Sequence, residues 1–301
     1  MSTPSTKDRI LSLVEPAVIL SMAVKAYIRI LLESITNGQI STLLTHPQTL
    51  RDEGFSRFWL GFSSSPTRSN PAQLEGSAAL IPPLLARVSG TVLDVGPGTG
   101  TQMPYLSARR EYVKGIYGAE PCKGLHGELR ANASKEGLDG KYHVLGCGVS
   151  AGELVPELRR EGLLRDMDGD VGAEQSMQLV KEKGGIFDTI ICVRVLCSVP
   201  DLEQRARELY TLLKPGGQLL VAEHVVNPWQ TPKGSLAARM AQGVYELLGW
   251  QWFMGDCCMV RDTEGALRRA AEGDGGWEVV DVERSFGWSA LPYVSGVWVK
   301  K

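Results

Sequence analysis

The chain has 301 residues, of which 43% are hydrophobic, and a net charge of −2. That length fits one large domain or a domain with an appendage, and the apolar content can bury a sizeable core. The small net charge excludes a global field that recruits nucleic acid or anionic membrane, and six cysteines without a C-x-x-C pair give neither a zinc-ligand spacing nor a secreted disulfide framework, so a reducing, cytoplasmic setting fits best.

Residues 1–89 read as a helical N-terminal appendage or lid, and residues 90–301 as the main domain. Met1–Arg9 is polar and lacks the basic start and apolar region of a secretory signal. Ile10–Ile35 is mostly apolar, but Pro16 and Lys25 cut it into pieces shorter than the roughly 20 residues that span a bilayer. Ser21, Lys25, Arg29 and Glu33 recur every fourth residue and make one polar stripe on a helix. Three readings stay open for it: an amphipathic helix packed on the core, a lid over a substrate mouth, or a helix in peripheral contact with an intracellular membrane through residues 10–35. Thr36-Asn-Gly38 is a turn, and Ile40–Leu44 and Thr49–Phe62 read as helices. Phe55, Phe58, Trp59 and Phe62 share one side of the second, as core or as a ligand box. Ser63–Pro71 reads as a linker, and Ser77–Val88 as a helix kinked by Pro82 and Pro83.

From Gly90 onward strands and helices alternate, the pattern of an α/β fold with a Rossmann-like, doubly wound, parallel sheet. Seven strands are expected near Thr91–Val95, Val113–Ala119, Tyr142–Leu145, Phe187–Val193, Gln218–Ala222, Trp277–Glu283 and Val294–Val299. After the first comes Gly96-Pro-Gly-Thr-Gly100, a turn in which glycines tolerate positive φ and close approach of a ligand. The helical pattern from Thr101 puts free N–H groups beside it. The second strand runs into Glu120 and Pro121, which places a carboxylate to accept from two ribose hydroxyls. Together these pieces make a nucleoside-binding βαβ unit. The third glycine falls one residue early for a dinucleotide fingerprint.

Glu153–Gly185 is longer than a minimal crossover; Glu153–Arg165 is helical in period, and Asp166–Asp170 reads as a solvated acidic loop rather than a calcium loop. Asp201 should cap the next helix, which stops at Lys214-Pro-Gly-Gly217. Glu223 and His224 close the fifth strand, at the end where open α/β sheets bind ligands. Thr231–Met254 reads as a helix with an aromatic face, Asp262 or Thr263 starts another, and Phe286–Pro292 is a loop at the sheet edge.

The pattern Asp94-x-Gly96-x-Gly98-x-Gly100 resembles the first motif of class I S-adenosylmethionine-dependent methyltransferases. With Val195-Leu-Cys-Ser-Val199, Glu223-His-Val225, Gly255-Asp-Cys-Cys258 and Arg261-Asp-Thr263, residues 90–301 look like the microsomal thiol S-methyltransferase-like branch. The resemblance implies S-adenosylmethionine as cofactor, held by Asp94, Gly96, Gly98, Gly100, Thr101, Glu120, Pro121, Val149, Ser150, Val193 and Arg194. It also implies methyl transfer, foremost to a thiol; O- or N-methylation, or a non-methylating or scaffold role on the same fold, are the alternatives. The N-terminal helix, Tyr245–Phe253 and the Phe286–Trp288 loop supply aromatic surface, so a small or medium hydrophobic acceptor is expected. In that family the apolar N-terminal segment anchors the protein to membrane, and Ile10–Ile35 is less cleanly hydrophobic.

A thiol, whose pKa is near 8.5, needs little activation. His224 is the candidate base, oriented by Glu223 beside it, against a bland reading as a packed histidine. Asp256 reads as a substrate contact, a partner of His224, or a turn residue. Cys257 and Cys258 read as pocket wall, Cys192 and Cys197 as small core residues. Arg194 would pair with an acidic substrate or with Glu223. No metal is expected, since Asp201, His224 and Asp256 have no ligand rhythm.

Overall fold

The computed structural model describes residues 4–38, 45–64, 74–164 and 172–301. The expected Ile40–Leu44 helix, most of the 63–71 linker and the acidic loop fall outside the described residues.

Helix α1 runs unbroken from Thr6 to Thr36. Ser5 starts it with a capping box: its hydroxyl accepts from the Asp8 N–H while the Asp8 carboxylate accepts from the Ser5 N–H. Pro16 lies inside the helix with its ring buried, so it removes one backbone hydrogen bond without ending the element. Pro16, Ile19, Ala23, Tyr27 and Ile30 form the buried face. Ser21, Lys25 and Arg29 are exposed, but so are Leu11, Val14, Val18, Ile28 and Leu32. The polar stripe therefore sits within an apolar outer face. Helix α2, Pro47–Ser63, packs against α1, and the Tyr27 hydroxyl donates to the Arg51 carbonyl at 3.0 Å. A 3-10 turn, Gly76–Leu80, leads into the short α3, Ile81–Leu85, with the two prolines at its start rather than at a kink in a longer helix.

The sheet has seven strands: β1 Gly90–Val95, β2 Val113–Ala119, β3 Tyr142–Leu145, β4 Phe187–Val193, β5 Leu213–His224, β6 Val279–Ser285 and β7 Tyr293–Val299. Their order is β3-β2-β1-β4-β5-β7-β6. The first five are parallel, but β7 inserts antiparallel between β5 and β6, so the sheet is mixed rather than wholly parallel. Strand order reverses between β1 and β4, and ligands of open α/β sheets bind at that switch point. Two apolar clusters cover the sheet, one containing Leu93, Ile190 and Trp298, the other Val92, Ile116 and Ile191. That division follows from alternation: Val92 and Leu93 are neighbours and point to opposite faces.

The remaining helices are α4 Met103–Ser107, α5 His126–Lys135, α6 Ala151–Arg160, α7 Ala173–Glu182, α8 Leu202–Leu212, α9 Leu236–Leu247, α10 Trp250–Phe253 and α11 Thr263–Ala270. The long aromatic segment after β5 is two helices, because Gly249 at φ +89 breaks it. Asp262 caps α11 through the Gly265 N–H. Asp201 precedes α8 in a left-handed conformation, and its side chain makes no cap bond. A third apolar cluster joins Ile19, Ala23 and Phe58 to Trp250, Met254 and Cys257, so the N-terminal helices pack on the segment after β5. No helix among the described residues is long and apolar enough to cross a membrane.

Candidate active site

Gly96, Gly98 and Gly100 all take positive φ as the chain leaves β1. A side chain at Gly96 would collide with Val195 at the end of β4, and one at Gly98 would lie 2.5 Å from the Trp59 indole nitrogen. The loop is thus wedged between the switch point and α2. Gly100 packs inward, where a Cβ would meet Leu129 and Met103 at 2.9 Å.

Glu120 is buried at the end of β2. One carboxylate oxygen accepts from the Gly98 N–H at 2.8 Å and the other from the Cys122 N–H at 2.9 Å. Burial raises its pKa, and these two donors work in the opposite direction. A carboxylate has about four acceptor positions. Two are used here, so a ribose could still be received.

Asp94 does not line the cavity. It is buried behind the glycine loop, accepting from Gln102 through both oxygens at 3.2 Å and from the Tyr142 hydroxyl at 2.8 Å. Burial pushes its pKa up to about 7, against the pull of those donors. Asp94 therefore ties the end of β1 to Gln102 and to Tyr142 of β3. Val193 is also absent from the wall; its neighbours Arg194 and Val195 line it. Thr101 lies in a small recess beside Gln102, Tyr105 and Arg194.

One cavity of about 1600 Å³ opens at these strand ends. Gly96, Gly98, Glu120, Pro121, Val149 and Ser150 line one part of it. The corner after β3 also carries an acidic side chain. The Glu153 carboxylate lines the cavity there, accepting from the Gly148 N–H at 2.8 Å and the Ser150 hydroxyl at 2.9 Å. Glu153 sits on the first turn of α6.

The cavity also has an apolar lining, from Ile19, Phe55, Trp59, Trp250, Phe286 and Leu291, of which Trp59 stands directly against the glycine loop. The 286–292 loop at the sheet edge forms part of the lining, through Phe286, Trp288, Ser289 and Leu291. Helix α1 both packs on the core and roofs this cavity, through Ser12, Glu15 and Ile19. Arg194 sits at φ +57, donates to the Ser77 hydroxyl at 3.1 Å, and keeps a buried, unpartnered Nε.

His224 is buried on the cavity wall, its Nε2 3.1 Å from the Cys257 Sγ and its Nδ1 without a partner. Glu223 does not orient it. Successive residues of a strand point to opposite faces, and the Glu223 carboxylate accepts instead from the Val195 and Leu196 N–H groups at 2.9 and 3.0 Å. Asp256 does not reach His224 either; it pairs with Arg51 at 2.5 Å. Cys197, His224 and Cys257 place their ligating atoms within 4.8 Å of one another, all buried. Sequence spacing did not show this cluster, because the three residues come from three segments and meet only in the fold.

The methyltransferase domain family matches this chain over residues 72–282. Among curated proteins, the chain is similar to thiol S-methyltransferase TMT1B of Homo sapiens, 37% identical over 172 residues that make up 54% of this chain and 67% of that protein. It is also 37% identical over 82 residues to the ubiquinone biosynthesis O-methyltransferase of Xanthomonas euvesicatoria, a stretch covering 26% of this chain and 34% of that protein. An O-methyltransferase family protein from Burkholderia thailandensis shares the fold, with a TM-score of 0.51, 15% identity and coverage of 94% of this chain and 72% of that one.

Proposed function

We propose a small, apolar thiol as the methyl acceptor of this chain, which belongs to the methyltransferase domain family. One observation carries the reading: a single cavity is lined by the glycine loop and Glu120 and also by His224 and a set of apolar side chains. Cofactor and acceptor can therefore share one space. S-adenosylmethionine, when bound, supplies a methyl carbon made electrophilic by its sulfonium. Glu120 receives the ribose hydroxyls, the Gly148–Ser150 corner with Glu153 faces the adenine, and the unpartnered Arg194 Nε is free to meet the amino-acid carboxylate.

The aromatic wall excludes water from the acceptor, and in-line displacement needs reacting atoms about 3–3.5 Å apart. The group that acts on the acceptor proton is the imidazole of His224, not Asp256, which Arg51 already neutralises. A thiol suits this wall better than an alcohol, since it ionises at a much lower pH. The thiol reading is supported by the match to the human thiol S-methyltransferase, which spans 67% of that protein against 34% for the ubiquinone O-methyltransferase. A panel of apolar thiols, phenols and amines with labelled cofactor tests it. Label should pass to thiols first, and His224→Ala should slow that transfer about 100-fold or more, the usual worth of a positioned acid–base group. Transfer to phenols or amines alone would overturn the acceptor assignment.

The outer face of α1 supports peripheral contact with a lipid surface. Leu11, Val14, Val18 and Leu32 are exposed on it beside Lys25 and Arg29, and α9, which contacts α1, adds exposed Leu236, Met240 and Val244. Apolar side chains with flanking cations are what an interfacial helix presents.

A further inference from the structure

Two thiols and an imidazole form a buried cluster on the cavity lining. Cys197 comes from the turn after β4, His224 from the end of β5 and Cys257 from the loop after α10. We propose that Cys197, His224 and Cys257 form a binding site for a zinc ion, with a fourth coordination position facing the acceptor cavity, where a substrate thiolate would bind. The inference rests on the reading of the cavity as a methyl-transfer site, and it replaces the base role of His224 with that of a ligand to the cation that activates the thiol.

Three observations carry it. The first is the donor set. Two cysteine sulfurs and one histidine nitrogen with a position left open is a catalytic zinc arrangement, whereas closed structural sites have four protein ligands. Zn–S bonds of about 2.3 Å and Zn–N bonds of about 2.0 Å put ligand atoms of one tetrahedron roughly 3.5–3.8 Å apart. The three atoms here lie within 4.8 Å of one another, with Cys257 Sγ and His224 Nε2 at 3.1 Å, so small side-chain rotations suffice.

The second is that the backbone holding these residues is already fixed. The turn carrying Cys197 is pinned from beneath, because Glu223 accepts from the Val195 and Leu196 N–H groups. Arg261 donates to the Leu196 carbonyl at 3.1 Å and also to that of Val199. The loop carrying Cys257 is tied to that turn directly, since the Cys258 N–H donates to the Cys197 carbonyl at 2.9 Å. Trp250 Nε1 donates to the Cys257 Sγ at 3.3 Å. An N–H donor to a ligating sulfur is the kind of outer contact that orients metal ligands.

The third is access. All three residues are buried, yet all three line the cavity, so an ion and a thiol have a way in.

The chemistry balances without an oxidant. The thiol loses its proton to solvent as its sulfur binds the cation. A lone pair on that sulfur then forms the new C–S bond to the methyl carbon. The methyl–sulfonium bond breaks, and its electron pair stays on the cofactor sulfur. The products are a neutral thioether, which is a weak ligand and departs, and S-adenosylhomocysteine.

The test uses the full chain, dialysed against trace zinc and assayed for bound metal, followed by titration of the stripped protein with cobalt. Stoichiometric zinc and an intense thiolate-to-cobalt charge-transfer band are expected. Cys197→Ser, Cys257→Ser and His224→Gln should each lose the tight zinc and weaken the band, while Cys147→Ser, at a cysteine outside the cluster, keeps both. Calorimetry with S-adenosylmethionine on the same samples shows that the variants are folded. A wild-type chain that binds the cofactor but retains no zinc, and gives only the pale spectrum of cobalt bound to oxygen ligands, overturns the proposal. Zinc and the charge-transfer band in a chain that never binds the cofactor would leave the metal site standing and sink the methyl-transfer reading instead.

Discussion

Asp94 is a motif residue whose carboxylate is held by protein donors. It accepts from Gln102 and Tyr142 behind the glycine loop, and burial lifts its pKa from 3.8 to about 7. The folded chain therefore binds a proton there that the unfolded chain has already released at neutral pH. Between the two values the native state holds more protons, so stability falls as pH rises from about 4 to about 7 and is level above. Asp94→Asn stays neutral throughout and should flatten that fall, measured as the denaturation midpoint against pH. An unchanged slope in the variant would show that Asp94 titrates normally. The residue type at position 94 was legible in the sequence, but its role was not. Its two partners are 8 and 48 residues away, and only the fold brings Tyr142 of β3 across to β1.

At the scale of elements, local signals were strong where the site is made of consecutive residues. The β1 strand, the glycine turn and Glu120 lie within thirty-one residues and are fixed by one βαβ unit. Pairing direction was not legible: β7 reads as a buried strand in either direction, and nothing local says that it enters between β5 and β6. The two helices after β5 were merged because an isolated glycine is tolerated in a helical pattern, whereas Gly249 takes a left-handed conformation there. Pro16 interrupts the apolar run of α1 but not the helix, which stays whole with the Pro16 side packed inward. Its exposed face gives a direct expectation. The chain should float with vesicles of mixed neutral and anionic lipid, and Val14→Asp with Val18→Asp should weaken this severalfold or more, each charge entering an apolar interface at a cost. Equal flotation of the variant would remove α1 from the lipid contact.

At the scale of the whole molecule, the switch point between β1 and β4 explains why distant segments converge. The ends of β1, β2, β4 and β5 all face one cavity, and α1, α2, α10 and the 286–292 loop close over it. On the proposed function, that arrangement would join a nucleoside cradle to an apolar acceptor chamber. The Cys197, His224 and Cys257 cluster exists only at this scale, since no two of its members are closer than 27 residues in the chain.

The central claim is that the cavity at the ends of β1 and β2 takes S-adenosylmethionine through Glu120. Isothermal calorimetry of the full chain with that cofactor tests it most directly. Saturable micromolar-range binding is expected, weakened about 10–100-fold in Glu120→Ala, the worth of a hydrogen bond to a charged group at roughly 1.5–3 kcal/mol. No heat with the cofactor, or binding of a nicotinamide dinucleotide in its place, would contradict the account.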